Sequence, residues 1–312
     1  MRLGILVQTA TGRRFTLGAR NLLGRASPAI RIDEPAVSAE HGVVFYEEGA
    51  WWYRDLGSTN GTWLDGEALR PGVRHRLTTN ARLELGEPTE RCQWRLAADE
   101  PPAARARAVA SRGLQEASHG LLELTRGPAS MLVFFDDRSQ RWMAETEVAR
   151  FPVEDQAVVQ VHDESYVLEL PPASAQTERT SRVRADPAPR VGAARLAMEV
   201  SAHEEQVSLE VHVGGGALPV PSRAHHYLLL LLARRRLADR RQGGSSAEHG
   251  WVHVEELAEQ LKVSRQKVNL DVSRARRQLA EMGFADAVDL VERRPQAGQL
   301  RIGGVEWEVR SA

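Results

Sequence analysis

The sequence predicts a multidomain chain: an all-β sandwich over residues 1–97, a β-rich middle segment, and a C-terminal α+β unit of strands and helices over 194–312. Three observations lead there. Short runs of β-branched, aromatic and leucine residues, punctuated by Gly, Asn and Asp, fill the first hundred positions. Two stretches rich in Pro, Ala, Arg, Ser and Thr then break the apolar patterning. In the last third, strand-like runs give way to helical periodicity. At 312 residues the chain is also long for a single core.

Within 1–97 the strand candidates are RLGILVQ, GRRFTLG, the segment HGVVFYEEGAWWYRDL, and ARLELG. Residues 98–120 open with ADEPPAARARAVASR and read as a linker. Residues 121–170 contain MLVFFDD, QAVVQVHD and ESYVLELP and form a small β-rich region whose role the sequence does not assign. Residues 171–193 lack apolar periodicity and read as a flexible linker. Thr177, Thr180 and Ser181 lie in it as hydroxyls that a Ser/Thr kinase could mark. From 194 onward come two or three strands with a Gly-rich turn, then the leucine-rich helix AHHYLLLLLARRRLA. Two helical segments, HVEELAEQLK and SRQKVNLDVSRARRQLAEM, and a terminal hairpin pattern follow. No internal repeat is evident.

Composition excludes several classes. A 42% hydrophobic and 27% charged balance is that of a soluble globular protein. The longest apolar run, Tyr227 to Ala233, is far short of the ~20 residues that cross a bilayer. The first residues, MRLGILVQTATGRRF, turn polar too soon for a signal peptide, so a cytoplasmic protein with no membrane partner is expected. The arginine bias fits a GC-rich, bacterial genome. Cys92 is the single cysteine, which excludes an internal disulfide and a cysteine zinc cluster and reads as filler of the last sandwich strand. The histidines are scattered, with His225 and His226 expected at the surface. No P-loop, motif-spaced carboxylate pair or metal-ligand cluster appears, so no enzymatic activity, cofactor or metal is expected. Residues 222–312 carry 16 Arg and Lys against 12 Asp and Glu, while the middle of the chain is acidic.

Three motifs fall in order in the first third: Gly24-Arg25, then Ser38-Ala39-Glu40-His41, then Gly57-Ser58-Thr59-Asn60-Gly61-Thr62-Trp63. A phosphothreonine carries about −1.5 to −2 charge and three acceptor oxygens. Reading it takes a multi-donor cation together with hydroxyls and backbone N–H groups converging from rigid loops. Arg25 offers a fork of donors after a glycine suited to a tight turn. Ser38 and Thr59 offer hydroxyls, and the Asn60 amide suits the peptide backbone beside the phosphoresidue. Gly61 suits a position of positive φ.

In this order and spacing the motifs resemble the forkhead-associated (FHA) family over about residues 1–97. That resemblance implies a β-sandwich that binds a phosphothreonine-containing protein through Arg25, Ser38, Thr59 and Asn60. Gly24, His41 and Gly61 would support the site, with His41 a buried brace and not a phosphate ligand. An upstream Ser/Thr kinase is implied as well. The chain departs from the family at Ala39, where many members carry Arg or Asn, which removes one contact.

Residues 195–309 resemble the winged-helix DNA-binding domain of OmpR/PhoB-type regulators. The local match is Val268-Asn269-Leu270-Asp271-Val272-Ser273-Arg274-Ala275-Arg276-Arg277-Gln278-Leu279. Val268, Val272, Ala275, Leu279 and Met282 form one apolar stripe, and Ser264 is placed to cap the helix. The opposite face carries Gln266, Asn269, Leu270, Ser273, Arg274 and Arg277, donor and acceptor types that read base edges. Lys267 and Arg276 flank it as phosphate contacts, and Arg293 and Arg294 lie on the wing. The combined expectation is a phosphothreonine-dependent signalling adaptor and transcription regulator. The alternative is an interaction scaffold whose winged helix contacts protein and not DNA.

Overall fold

The computed structural model describes residues 3–87, 89–173, 188–203, 206–243, 245–304 and 306–311. They fall into two compact units, 3–122 with 153–173 and 123–152 with 188–311. Thr177, Thr180 and Ser181 lie outside the described residues. No described helix is long and apolar enough to cross a membrane.

The N-terminal sandwich contains β1 (Ile5–Gln8), β2 (Arg14–Thr16), β3 (Arg20–Gly24), β4 (Ile30–Arg31), β5 (Gly42–Glu47), β6 (Ala50–Asp55), β7 (Thr62–Leu64), β8 (Glu67–Ala68), β9 (Arg74–Leu77), β10 (Arg82–Leu85) and β11 (Gln93–Ala98). One sheet runs β2-β1-β11-β10-β7-β8 and the other β4-β3-β5-β6-β9. Leu6, Leu83, Leu85, Trp94 and Leu96 of the first sheet share a core with Leu23, Val44, Trp51 and Tyr53 of the second. Strand periodicity of two decides what points inward. In β6 it turns Trp51, Tyr53 and Asp55 into the interior while Trp52 and Arg54 remain half-buried. Cys92 is buried in the short 3-10 turn that precedes β11, one position earlier than expected.

Residues 98–120 depart from the linker expectation. They contribute β12 (Arg105–Ala108) and β13 (Leu114–Glu116) to a sheet ordered β13-β12-β19-β18, completed by β18 (Val158–Val161) and β19 (Glu164–Glu169). Alanine is the reason composition misled: Ala103, Ala104, Ala106 and Ala108 look like linker composition but are buried. The segment is also tied to the sandwich. Trp51 Nε1 donates to the Glu100 carbonyl at 3.2 Å, and Arg105 Nη2 donates to the Thr16 carbonyl at 3.0 Å. A further sheet runs β14-β15-β16-β17, from β14 (Leu121–Arg126), β15 (Ala129–Asp136), β16 (Arg141–Glu145) and β17 (Arg150–Val153).

These eight strands repeat a connectivity already present in the chain, contrary to the expectation of no repeat. The orders β13-β12-β19-β18 and β14-β15-β16-β17 reproduce β2-β1-β11-β10 and β3-β5-β6-β9 strand for strand. Strands with the place of β4, β7 and β8 are missing from the second set among the described residues. Sequence comparison by eye misses the repeat because pairing and inward alternation conserve a pattern, not residue identities.

The C-terminal elements are β20 (Arg195–Val200), β21 (Val207–Val213), β22 (Gly216–Val220), α1 (His226–Gln242), β23 (Val252–His253), α2 (Val254–Leu261), α3 (Arg265–Glu281), β24 (Val291–Arg294), β25 (Gln299–Ile302) and β26 (Glu306–Ser311). One sheet is ordered β22-β21-β20-β26, with β26 parallel to β20, and another β23-β25-β24. The Ser264 hydroxyl caps α3 by accepting from the Lys267 N–H at 3.2 Å. Val268, Val272, Ala275 and Leu279 are buried along α3. His225 and His226 are buried, not at the surface. The Gln278 Oε1 accepts from Nε2 of both, at 2.7 and 3.0 Å, while the Gln278 amide nitrogen donates to the Pro221 carbonyl.

Candidate functional site

The three motifs of the first third occupy loops at one end of the sandwich. Arg25 leaves the end of β3, Ser38 and His41 enter β5, and residues 57–61 join β6 to β7. Because β3 is antiparallel to β5 and β5 to β6, those three points are neighbours in the sheet. Gly24 sets how closely the first two loops approach. A Cβ there would lie 2.2 Å from the Ala39 carbonyl oxygen, so only glycine fits. Backbone bonds then seal the approach: Arg25 N–H donates to Ser38 O and Ala26 N–H to Ala39 O, both at 3.0 Å.

Four of the expected residues face one another across this end. The Ser38 hydroxyl accepts from the Thr59 N–H at 3.0 Å and lies 3.4 Å from the Thr59 hydroxyl. Asn60 Nδ2 donates to the Ala36 carbonyl at 2.9 Å, on the same loop as Ser38. Arg25 Nε donates to the Val37 carbonyl at 2.6 Å. That anchor fixes the guanidinium by one edge, and its two terminal nitrogens form no hydrogen bond among the described residues. Arg25, Thr59 and Asn60 are exposed and Ser38 is half-buried, so the donors open to solvent.

His41 is buried between two of the loops. Its Nδ1 accepts from the Ser38 N–H at 3.1 Å, which places the proton on Nε2, 3.1 Å from the Gly61 carbonyl. One imidazole therefore ties the Ser38 loop to the 57–61 loop. Burial lowers its pKa and outweighs the attraction of Asp55, keeping the ring neutral with Nδ1 free to accept. Gly61 has φ of 82°, as a turn glycine should.

Asp55 is the residue sequence reasoning missed. Its carboxylate accepts from the Gly57 and Ser58 N–H groups, each at 2.8 Å, and from the Ser58 and Thr62 hydroxyls, each at 2.6 Å. Tyr53 OH in turn donates to Thr62 Oγ1 at 3.0 Å, since the Thr62 proton is already committed. Burial pushes the Asp55 carboxyl up, but these donors together hold it below the ordinary carboxylate value. The signal was present in the alternation. Asp55 continues the inward phase of Trp51 and Tyr53, and a buried carboxylate requires partners.

The ten C-terminal candidates divide differently from the sequence expectation. Gln266, Leu270 and Arg274 are exposed, and Lys267 is paired with Asp271 one turn on. The remaining contacts are internal. Arg276, expected at phosphate, is buried: its Nη1 lies 2.6 Å from Glu145 Oε1 and its Nη2 donates to the Val291 carbonyl. Arg293, expected on the wing surface, has a side chain only 6% exposed, with Nε 3.6 Å from Glu145 Oε1 and Nη2 donating to Asn269 Oδ1 at 2.8 Å. Ser273 Oγ donates to Glu123 Oε1 at 2.7 Å, and Arg277 pairs with Glu123 Oε2. Arg294 pairs with Glu248 at 2.8 Å and covers the Trp251 ring. The physical reason is one of charge and burial: a sheet carrying Glu123 on its edge strand β14 and Glu145 at the end of the inner strand β16 meets this helix face, which a helical wheel cannot foresee.

Residues 21–86 match the family model of the FHA domain. The FHA domain-containing protein FhaB of Mycobacterium tuberculosis is 35% identical over 80 residues, 25% of this chain and 46% of that protein. Its namesake in Mycolicibacterium smegmatis is 34% identical over 79 residues, with the same shares. The chain thus spans about half the length of the curated relatives it matches. Among solved structures, Mycobacterium tuberculosis EmbR in complex with a low-affinity phosphopeptide aligns with 30% of this chain and 24% of its own, at 22% identity and TM-score 0.27. The N-terminal FHA domain of Saccharomyces cerevisiae Rad53p, solved with a phosphothreonine peptide, aligns with 30% of this chain and 90% of its own, at 19% identity and TM-score 0.27. Residues 21–86 of the N-terminal sandwich thus match the FHA domain in sequence.

Proposed function

We propose that the N-terminal FHA domain binds a phosphothreonine on a partner protein, and that the C-terminal elements form a winged helix that binds DNA. The chain would then be a non-enzymatic adaptor linking a Ser/Thr kinase to transcription. Arg25, Ser38 and Thr59 take the phosphoryl oxygens and Asn60 the adjacent peptide backbone. The single observation carrying the first half is the anchored Arg25 guanidinium, with free terminal donors, beside hydroxyls held 3.4 Å apart. A charged ester receives charge-assisted hydrogen bonds from such a cluster without reorganising it.

The winged-helix half is supported by element order: strands, α1, a short strand, α2, α3 and a hairpin pairing with that short strand. One observation favours the scaffold reading for this unit. Ser273, Arg276, Arg277 and Arg293 already have protein carboxylates as partners. The test of the phosphothreonine reading is fluorescence polarisation with matched phosphorylated and unphosphorylated threonine peptides. Arg25→Ala should weaken the phosphopeptide by at least about tenfold, or ~1.4 kcal/mol, without altering the unfolding midpoint. Equal affinity of the two proteins, or equal binding of the two peptides, refutes it.

A further inference from the structure

The α3–β24 face is built to hold carboxylates. Glu145, on β16, has a side chain 4% exposed and stands against three guanidinium groups, Arg276 at 2.6 Å, Arg293 at 3.6 Å and Arg150 at 4.0 Å. Glu123, on β14, takes the Ser273 hydroxyl with one oxygen and Arg277 with the other. Between them lies a cavity of about 30 Å³, lined in part by Met131, Thr146 and Asn269. Glu145 Oε2, Asn269 Nδ2, Arg276 Nε and Arg293 Nε are buried without hydrogen-bond partners among the described residues.

That combination describes an imperfect lock. Buried ion pairs recover little more than their desolvation cost, and each stranded polar atom subtracts from the docked state. The contact is specific, because two carboxylates meet four donors on one face, yet it is not optimised for stability. A polyanion offering several phosphates to the same donors competes with it directly.

We propose that the sheet β14–β17 is an internal acidic clamp on α3: Glu123 and Glu145 occupy Ser273, Arg276, Arg277 and Arg293, and nucleic acid reaches this face only when the clamp releases. The inference rests on the DNA-binding reading of the C-terminal unit. It accounts for a basic helix face that makes its charge pairs within the chain. The segment that bears the clamp belongs to the strand set lacking counterparts of β4, β7 and β8, so that set has a use independent of phosphate loops.

The test uses the full chain with Glu123→Gln and Glu145→Gln together. The probe is a fluorescein-labelled random-sequence duplex of about 30 base pairs, titrated by anisotropy from about 50 to 200 mM salt. Hydrogen exchange over residues 129–145 and 265–281 reads clamp release. The double variant should bind at least about tenfold tighter at the lowest salt, with a steeper salt slope. Its exchange should be faster in both segments. Adding Arg277→Ala should remove part of the gain. Glu47→Gln with Glu48→Gln, which removes two exposed charges elsewhere, should leave affinity within about twofold. Should the double variant fail to fold, Glu123→Gln alone is expected to give about threefold, since it frees only Ser273 and Arg277. Faster exchange without tighter binding refutes the DNA-binding reading and leaves the clamp without a nucleic-acid partner. Unchanged exchange, with or without tighter binding, refutes the clamp itself.

Discussion

Asp55→Ala should damage the candidate phosphate site without touching any residue that would meet phosphate. The carboxylate accepts four hydrogen bonds at 2.6–2.8 Å. Deleting it leaves four donors, but they are not equal. Gly57 is exposed and Ser58 half-buried, so water reaches them and recovers most of the loss. Thr62 is 1% exposed and cannot be rescued that way. One fully stranded hydroxyl and three partly solvated donors that lose a charged acceptor sum to about 3 kcal/mol. Asp55→Asn keeps the shape and one acceptor oxygen for the two N–H groups, so about 1 kcal/mol is expected. Urea unfolding monitored by tryptophan fluorescence gives both numbers from the shift in midpoint at constant slope. The 57–61 loop also positions the Thr59 N–H on Ser38, so phosphopeptide affinity should fall by about tenfold in the alanine variant and within about threefold in the asparagine variant. If Ala and Asn shift the midpoint equally, the hydrogen-bond argument is wrong. If Ala lowers stability but leaves affinity intact, Asp55 does not position the loop.

Three further outcomes follow from the same geometry. Gly24→Ala must push a methyl against the Ala39 carbonyl, and should cost about 2 kcal/mol or more in urea unfolding while weakening phosphopeptide binding. His41 and Asp55 both have folded values below their ordinary ones, 6.5 and 3.8. Their contributions are therefore complete above those values and are lost as pH falls through each group's folded value. A proton nuclear magnetic resonance titration should place the His41 midpoint below 6.5, and His41→Gln should flatten the stability loss of the wild type just below that pH; a midpoint above 6.5 contradicts the neutral-brace assignment. Arg276→Ala leaves the Glu145 carboxylate buried with Arg293 and Arg150 as more distant partners, so a loss near the lower end of about 3–5 kcal/mol is expected by thermal or urea unfolding. A surface role at phosphate would instead leave stability unchanged.

Much of the N-terminal site was legible because its chemistry is local. Gly24-Arg25, Ser38, His41 and 59–61 each sit in a loop whose residue types state the requirement, and strand pairing brings the loops together. Asp55 was not legible as a ligand of that loop, since it precedes it as an ordinary strand end and acts through backbone donors. Ala103 to Ala108 misled for a different reason: small residues look like linker composition, yet tight approach of chain segments favours them. On α3 the helical wheel picked out Val268, Val272, Ala275 and Leu279 as buried, but Asp271 and Arg276 are buried as well. It could not show that Arg276 and Arg293 are desolvated, because their partner Glu145 lies more than a hundred residues away in sequence.

The two strand sets also explain why a phosphate site need not accompany this connectivity. In the first set, β3 reaches β5 through residues 25–41 and β6 reaches β7 through 56–61, and every candidate phosphopeptide contact lies on those two connections. In the second set β14 reaches β15 through residues 127–128, and β16 passes directly to β17, the counterpart of β9, through residues 146–149. Two residues make a tight turn and cannot carry an arginine, a capping serine and a bracing histidine at the spacing the first set uses. The sheet's inward alternation survives that shortening, because core packing depends on the strands alone. Its outward and edge positions are then free to acquire a different chemistry, and at Glu123 and Glu145 that chemistry is carboxylate against arginine. The candidate contacts of this chain therefore lie on loops and strand ends, while the strand order common to both sets fixes only where they are displayed.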